Sequence, residues 1–271
     1  MGNIRNSACF CGSGKKQKKC HNNFHPESKA ANLLKLYKEI DDTTNTFFNE
    51  SSVPSFCRKG CHHCCYDSLA ITPIEFEVIL NDLKKRLNKT EIEELFTRAL
   101  GQNEEIKINN PDFYRLLENN GTLDQQALIK QMNSSSSTKR NPFPCVFLNE
   151  VEGLCTVYES RPYICRTFGT THVSEDELGD YEICEVIPSS KLLIDSTPEV
   201  RSLEKERSKI VNINIGGQLF IMRPYPIYYL FKIYYEKYGF KKEIENFEST
   251  PSFSTSQSYA DKAYIERRTR K

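Results

Sequence analysis

Eleven cysteines are distributed in three groups along this chain: Cys9, Cys11 and Cys20; then Cys57, Cys61, Cys64 and Cys65; then Cys145, Cys155, Cys165 and Cys184. The segment MGNIRNSACF lacks the apolar stretch of a secretory signal, so the expected compartment is the cytoplasm, where thiols stay reduced. A disulfide framework is then the poorer account of so many cysteines, and metal ligation the better one. The pattern MGxxxS/T of N-myristoylation fails at Asn6. The longest apolar run, Tyr225 to Tyr235, is broken by Pro226 and Lys232, so no membrane partner is expected.

With 38% hydrophobic and 11% aromatic residues, the 271-residue chain can bury one substantial core and a small satellite. Its 37 basic and 36 acidic side chains give a net charge of +1 and no global field that would recruit nucleic acid. A nucleic-acid partner is therefore not expected.

The periodicity divides the chain as follows: a knuckle over 1–25, a helix and connector over 26–55, a cysteine-cluster domain over 56–190, a hairpin and helix over 191–247 packing on that domain, and a disordered tail over 248–271. Leu33, Leu34, Leu36, Tyr37 and Ile40 predict an amphipathic helix from Ser28 to Ile40, followed by a polar connector from Asp41 to Ser55. Thr72, Pro73 and Glu75 form a helix start with a capping box, and Ile74, Val78, Ile79, Leu83 and Leu87 give that helix an apolar face. Thr90 with Glu93 predicts a second helix through Leu100. Shorter helices are expected at Asp112–Glu118 and Leu123–Met132, with a linker over Ser134–Arg140. Val211 to Ile221 alternates around Gly216-Gly217 as a hairpin would, and an aromatic helix follows Pro226 to about Tyr238. The fold class expected is α+β, helix-rich with short strands, organised around metal more than around a sheet.

In Cys9-Phe-Cys11-Gly-Ser-Gly-Lys-Lys-Gln-Lys-Lys-Cys20-His21, three thiolates and one imidazole make a tetrahedral zinc set. So short a segment folds only around its metal. Gly12 and Gly14 can supply the positive φ angles that turn the chain back on the ion. This stretch resembles the SEC-C motif, the zinc-binding tail of the SecA translocation motor, in every ligand position and in the Gly-Ser-Gly-Lys-Lys turn. The resemblance implies zinc and a protein partner docked through the knuckle. His25 is a competing ligand, for which a surface role is expected because His21 completes the set. Lys15, Lys16, Lys18 and Lys19 are read as a solvated loop in preference to a contact with nucleic acid or an acidic protein surface, since only Phe10 is interleaved with them.

The other eight cysteines form a second constellation. Cys57-Arg-Lys-Gly-Cys61-His-His-Cys64-Cys65 is followed by Pro144-Cys145, by Cys155-Thr-Val-Tyr158-Glu-Ser-Arg161-Pro162-Tyr-Ile-Cys165-Arg166, and by Cys184. Eight thiols divide into two four-ligand sites, or Cys57, Cys61 and Cys64 offer three ligands to a 4Fe-4S cluster and a later cysteine supplies the fourth. Neighbouring side chains diverge, so Cys64 and Cys65 are expected to serve different metals, or one to ligate while the other packs. The same three-cysteine spacing occurs in radical S-adenosylmethionine enzymes, but no strand–helix alternation surrounds it here. These residues resemble the YkgJ-type cysteine-cluster family of zinc- or iron-chelating domains, with one residue more than that pattern between Cys57 and Cys61. The match spans about 56–187.

Around the cysteines, Arg161 and Arg166 are expected to donate to thiolate sulfur and offset its charge, the plainer alternative being a salt bridge to Glu159. Pro162 sets the turn that aims Cys165, and Tyr158 is read as core. His62 and His63 are ligands or proton carriers in one reading and exposed neighbours of the site in the other. The helix at Thr72 covers the site, with Glu75 and Glu77 assigned to capping and solvation.

The function expected is metal binding: Zn2+ at the knuckle and Zn2+ or 4Fe-4S in the main domain. The alternative is protein-lysine methyl transfer using S-adenosylmethionine, implied by a related domain in flagellin lysine methylases. No Gly-rich nucleotide loop, triad or carboxylate pair appears in the sequence, so no catalytic residue is assigned.

Overall fold

Helix and turn geometry is seen here in a computed structural model that describes residues 6–21, 24, 26–51, 53, 55, 57–118, 140–170, 186, 197–200, 202–215, 218–220 and 222–236. The expected helix Leu123–Met132, the linker before Arg140, Cys184, His25, Gly216-Gly217 and the tail lie outside them. The described residues are mostly helical, with short two-stranded sheets. They form two units, one drawn from Met1–Cys57 and Arg166–Phe220, the other from Arg58–Cys165 and Ile221–Glu248. No helix of the described residues is long and apolar enough to cross a membrane.

In the first unit, α1 (Gln17–Cys20) follows the first cysteines and α2 (Lys29–Glu50) is its longest element. Ser28 starts α2 by accepting the Ala31 N–H at 3.1 Å. The side chains of Ala31, Leu33, Leu36, Tyr37 and Ile40 are buried along one stripe. The polar residues after Ile40, expected to be a connector, continue this helix for ten more residues to Glu50. Asp42, Asn45, Thr46, Asn49 and Glu50 among them are exposed, and the pair Lys38–Asp42 at 2.6 Å supports the exposed turn. Helix α7 (Ser202–Val211) lies against α2, and Lys29 Nζ donates to the Asn212 carbonyl at 2.6 Å. The expected hairpin is present, with β4 (Ile213–Ile215) paired antiparallel to β5 (Gln218–Phe220).

The second unit begins with a 3-10 turn at His63–Tyr66, then β1 (Ala70–Ile71), α3 (Pro73–Arg86), α4 (Lys89–Asn109) and α5 (Pro111–Glu118). The Thr72–Glu75 capping box is formed. The box expected at Thr90–Glu93 is instead Asn88–Glu91, so α4 starts two residues earlier and runs nine past Leu100. Asn88 Oδ1 accepts the Glu91 N–H at 3.1 Å while Glu91 Oε2 accepts the Asn88 N–H at 2.7 Å.

Strands β2 (Leu148–Asn149) and β3 (Leu154–Cys155) form a tight hairpin, and β6 (Tyr225–Pro226) pairs antiparallel with β1. Two further helices are α6 (Tyr163–Thr167), inside which the chain passes between units, and α8, residues 227–236. The core gathers Phe76, Ile79 and Leu83 of α3 with Phe96, Phe147, Leu230 and Phe231. Phe231 stands edge-on to Phe76 and Phe96, at 4.8 and 4.7 Å between centroids.

Candidate metal centres

At the N-terminus the chain doubles back on itself. The Cys9 N–H donates to the Lys15 carbonyl at 2.8 Å, the Gly12 N–H to the Cys9 carbonyl at 3.1 Å, and Ala8 bridges Lys16. Gly12 and Gly14 adopt φ of 73° and 72°, as the turn requires. A Cβ at Gly12 would also lie 3.0 Å from Lys38 Cε. Helix α1 then presents Cys20 and, at its end, His21. Buried Gln17 braces this end, its amide donating to the carbonyls of His21 and Phe24 at 2.5 and 2.9 Å.

The result is a quartet. The ligand atoms of Cys9, Cys11, Cys20 and His21 all lie within 4.8 Å of one another. Cys11 Sγ is 3.5 Å from Cys20 Sγ, and His21 Nδ1 is 3.3 Å from Cys9 Sγ and 3.4 Å from Cys20 Sγ. Tetrahedral zinc with its usual bond lengths separates ligands by roughly 3.5–3.8 Å, so the donor set fits that ion. Phe10 stacks on the imidazole at 5.2 Å and Phe24 closes on it at 5.6 Å, which fixes the ring. Phe10, read in the sequence only beside the lysines, thus orients a ligand.

Electrostatics agree with a cation-binding role. Burial, together with the neighbouring thiols, pushes Cys9 up from 9.0 to about 12. At Cys11 burial also pushes upward, but hydrogen bonds from the Ser13 side chain and backbone outweigh it and the thiol is lowered. Three thiols at such range ionise together only when a cation joins them.

The second unit brings cysteines from distant stretches together. Gly60, at φ 95°, turns the chain into Cys61, whose N–H donates to Arg58 O at 2.9 Å. The 3-10 turn follows, and residues 140–145 run beside it. Arg140 donates to the His63 carbonyl at 2.6 Å, Asn141 N–H to Tyr66 O at 2.7 Å, and Cys145 N–H to Cys65 O at 2.5 Å. Hairpin pairing sets Cys155 opposite Leu148, three residues after Cys145. Its turn residue Gly153 has φ 64° and packs on His62, 3.3 Å from where a Cβ would lie. Helix α6 supplies Cys165.

Cys64, Cys145, Cys155 and Cys165 feel one another's charges. The adjoining Cys65 sulfur, followed by burial, raises Cys64 strongly. Burial raises Cys145 to about 12 and Cys165 well above its ordinary value. Burial raises Cys155 too, although Arg161 and Arg86 pull it back. Among the described residues, only the N-terminal quartet has all its ligand atoms within 4.8 Å of one another. All ten described cysteines are free thiols, as a metal-binding reading requires.

Several neighbours differ from expectation. The buried guanidinium of Arg166 is paired with Asp41 and lies over the Tyr37 ring at 4.6 Å. Arg161 stacks on Tyr158 at 4.0 Å, and Lys59 lies over the same ring at 5.7 Å, so half-buried Tyr158 is a cation platform more than a core residue. Glu75 and Glu77, assigned to capping and solvation, are 1% and 2% exposed. Glu77 accepts the Tyr234 hydroxyl at 2.8 Å, while Glu75 caps α3 and also accepts the Tyr163 N–H at 3.1 Å. No spacing rule links positions 75 and 163, so this contact had no signal in the sequence.

Residues 56–185 match the protein-family model described as "CxxCxxCC: Putative zinc- or iron-chelating domain". The chain therefore carries a metal-binding cysteine-cluster domain of the CxxCxxCC type over those residues, preceded by a four-donor cluster that can hold a metal ion. No curated protein and no solved structure is similar enough to match it.

Proposed function

We propose that the chain is a two-centre metal-binding protein. Cys9, Cys11, Cys20 and His21 bind Zn2+, and thiols of residues 56–185, with Cys64, Cys145, Cys155 and Cys165 as the inner set, bind Zn2+ or an iron–sulfur cluster. The observation that carries the reading is the N-terminal donor set, all within 4.8 Å of one another with three of its contacts at 3.3–3.5 Å, as ligands around one small cation would be.

For the second centre the support is the convergence of thiols from three stretches together with the family match. A bound cation holds thiolates that burial otherwise keeps protonated, and it ties residues 61–65 to 145–165. Lys15, Lys16, Lys18 and Lys19 are all exposed on the knuckle and fit an acidic protein surface, which supports docking of a protein partner there.

Metal analysis and visible spectra of anaerobically purified parent, Cys20→Ser and Cys165→Ser test this. Cys20→Ser should lose one zinc and keep the metal of the main domain. Cys165→Ser should do the reverse. Equal metal content in all three overturns the assignment, and a broad visible absorption that disappears only in Cys165→Ser identifies the second centre as iron–sulfur.

A further inference from the structure

We propose that Glu75 and Asp82 of α3 form a two-point clamp that positions Cys165 for the metal of residues 56–185. The inference rests on the reading that this centre binds metal. Glu75 Oε2 accepts from the Thr72 N–H and hydroxyl at 2.9 and 2.8 Å, which caps α3. Its other oxygen accepts the N–H of Tyr163, the first residue of α6, at 3.1 Å. Cys165 lies two residues further on.

Asp82 stands two turns along the same face of α3. Its Oδ2 accepts the Ser160 hydroxyl at 2.6 Å while the carboxylate holds Arg86 at 2.6 Å. The segment Ser160-Arg161-Pro162-Tyr163 is thus fastened at both ends to one rigid helix. Pro162 inside it has a fixed φ and no N–H, so little torsional freedom is left before Cys165.

Capping alone does not account for a buried carboxylate. The box at Asn88–Glu91 caps α4 equally well with Glu91 exposed. Desolvating Glu75 is costly unless its oxygens are well used, and the N–H of Tyr163 is the use that the exposed box lacks. Metal ligands must be held within about 0.5 Å of their working positions, and the clamp supplies that restraint from outside the ligand set.

The test uses the full chain in a Cys20→Ser background, so that only the main-domain centre is read. Zn2+ affinity is measured by competition with a chromophoric chelator, and Co2+ spectra report ligand geometry, for the background protein and for Glu75→Gln, Ser160→Ala and Thr72→Ala. A glutamine keeps a single acceptor oxygen, so it cannot serve both Thr72 and Tyr163. Thr72→Ala weakens the cap but leaves the Tyr163 bond. Glu75→Gln and Ser160→Ala should each lose about tenfold in affinity and shift the Co2+ bands, while Thr72→Ala stays within about twofold with unshifted bands. Parent-like affinity in both Glu75→Gln and Ser160→Ala overturns the clamp alone, as does an equal loss in Thr72→Ala. A background protein that binds no metal overturns the clamp and the metal reading together. Ser160→Ala deletes only a hydroxyl, and it decides the matter if Glu75→Gln fails to fold.

Discussion

Arg166 pairs with Asp41 across 125 residues of sequence, its guanidinium 2% exposed and seated over the ring of Tyr37. A buried cation keeps its place only while its counter-charge is present. Asp41→Asn should therefore destabilise the protein by about 3 kcal/mol, read as a lowered urea midpoint. A midpoint equal to the parent's would show that the pair does not hold α2 to the segment after Cys165.

Phe231 is 0% exposed, and its ring meets those of Phe76, Phe96 and Phe147. Phe231→Ala opens a cavity among three aromatic neighbours and should cost about 3–5 kcal/mol in denaturant unfolding. If the loss stays below about 1 kcal/mol, the α8 contact is not central to the core.

Gly12 combines a left-handed φ with a close approach to Lys38, whereas Gly101 sits exposed in α4 with nothing near its Cβ position. Gly12→Ala should weaken zinc binding at the knuckle about tenfold, since the strain of about 1–2 kcal/mol falls on the turn that carries Cys9 and Cys11. Gly101→Ala should leave zinc binding alone and raise stability by about 0.5–1 kcal/mol. Chelator competition and denaturant titration separate the two, and equal zinc affinity in Gly12→Ala would contradict the turn assignment.

Burial pushes Cys145 from an ordinary 9.0 to about 12. Between those values the unfolded chain has released a thiol proton that the folded metal-free chain retains, so folding stability falls as pH rises through this window. Such a thiol contributes a slope of up to about 1.4 kcal/mol per pH unit. Urea midpoints of chelated protein should decline above pH 9.0. Metal reverses the direction, because bound thiolates are lost by protonation in acid. A chelated protein whose midpoint is constant across the alkaline window would show that this thiol titrates alike in both states.

How much of this was legible beforehand follows from the range of each interaction. The four-donor cluster could be read because Cys9, Cys11, Cys20, His21 and both turn glycines lie within one short stretch, where spacing dictates geometry. The start of α3 could be read because Thr72, Pro73 and Glu75 satisfy their own orphan N–H groups locally. The start of α4 was misplaced because Asn88–Glu91 and Thr90–Glu93 offer the same chemistry two residues apart, and the earlier pair closes. Residues 41–50 looked like a connector because they have almost nothing to bury, yet propagation from the packed half of α2 carries them as helix. Arg166 with Asp41, Glu75 with Tyr163 and Asp82 with Ser160 are set by tertiary packing, which no local pattern encodes.

The backbone bond from Cys145 N–H to Cys65 O closes a loop that contains α3, α4 and α5. Closing so long a loop is entropically expensive, while helices inside it form from near neighbours. The order expected in refolding follows: α3 to α5 gather first, and the two cysteine stretches meet afterwards. The knuckle is too short to take shape ahead of its ion. Starved of metal, the chain should keep most of its helix while the stretch from Cys9 to His21 loses its order.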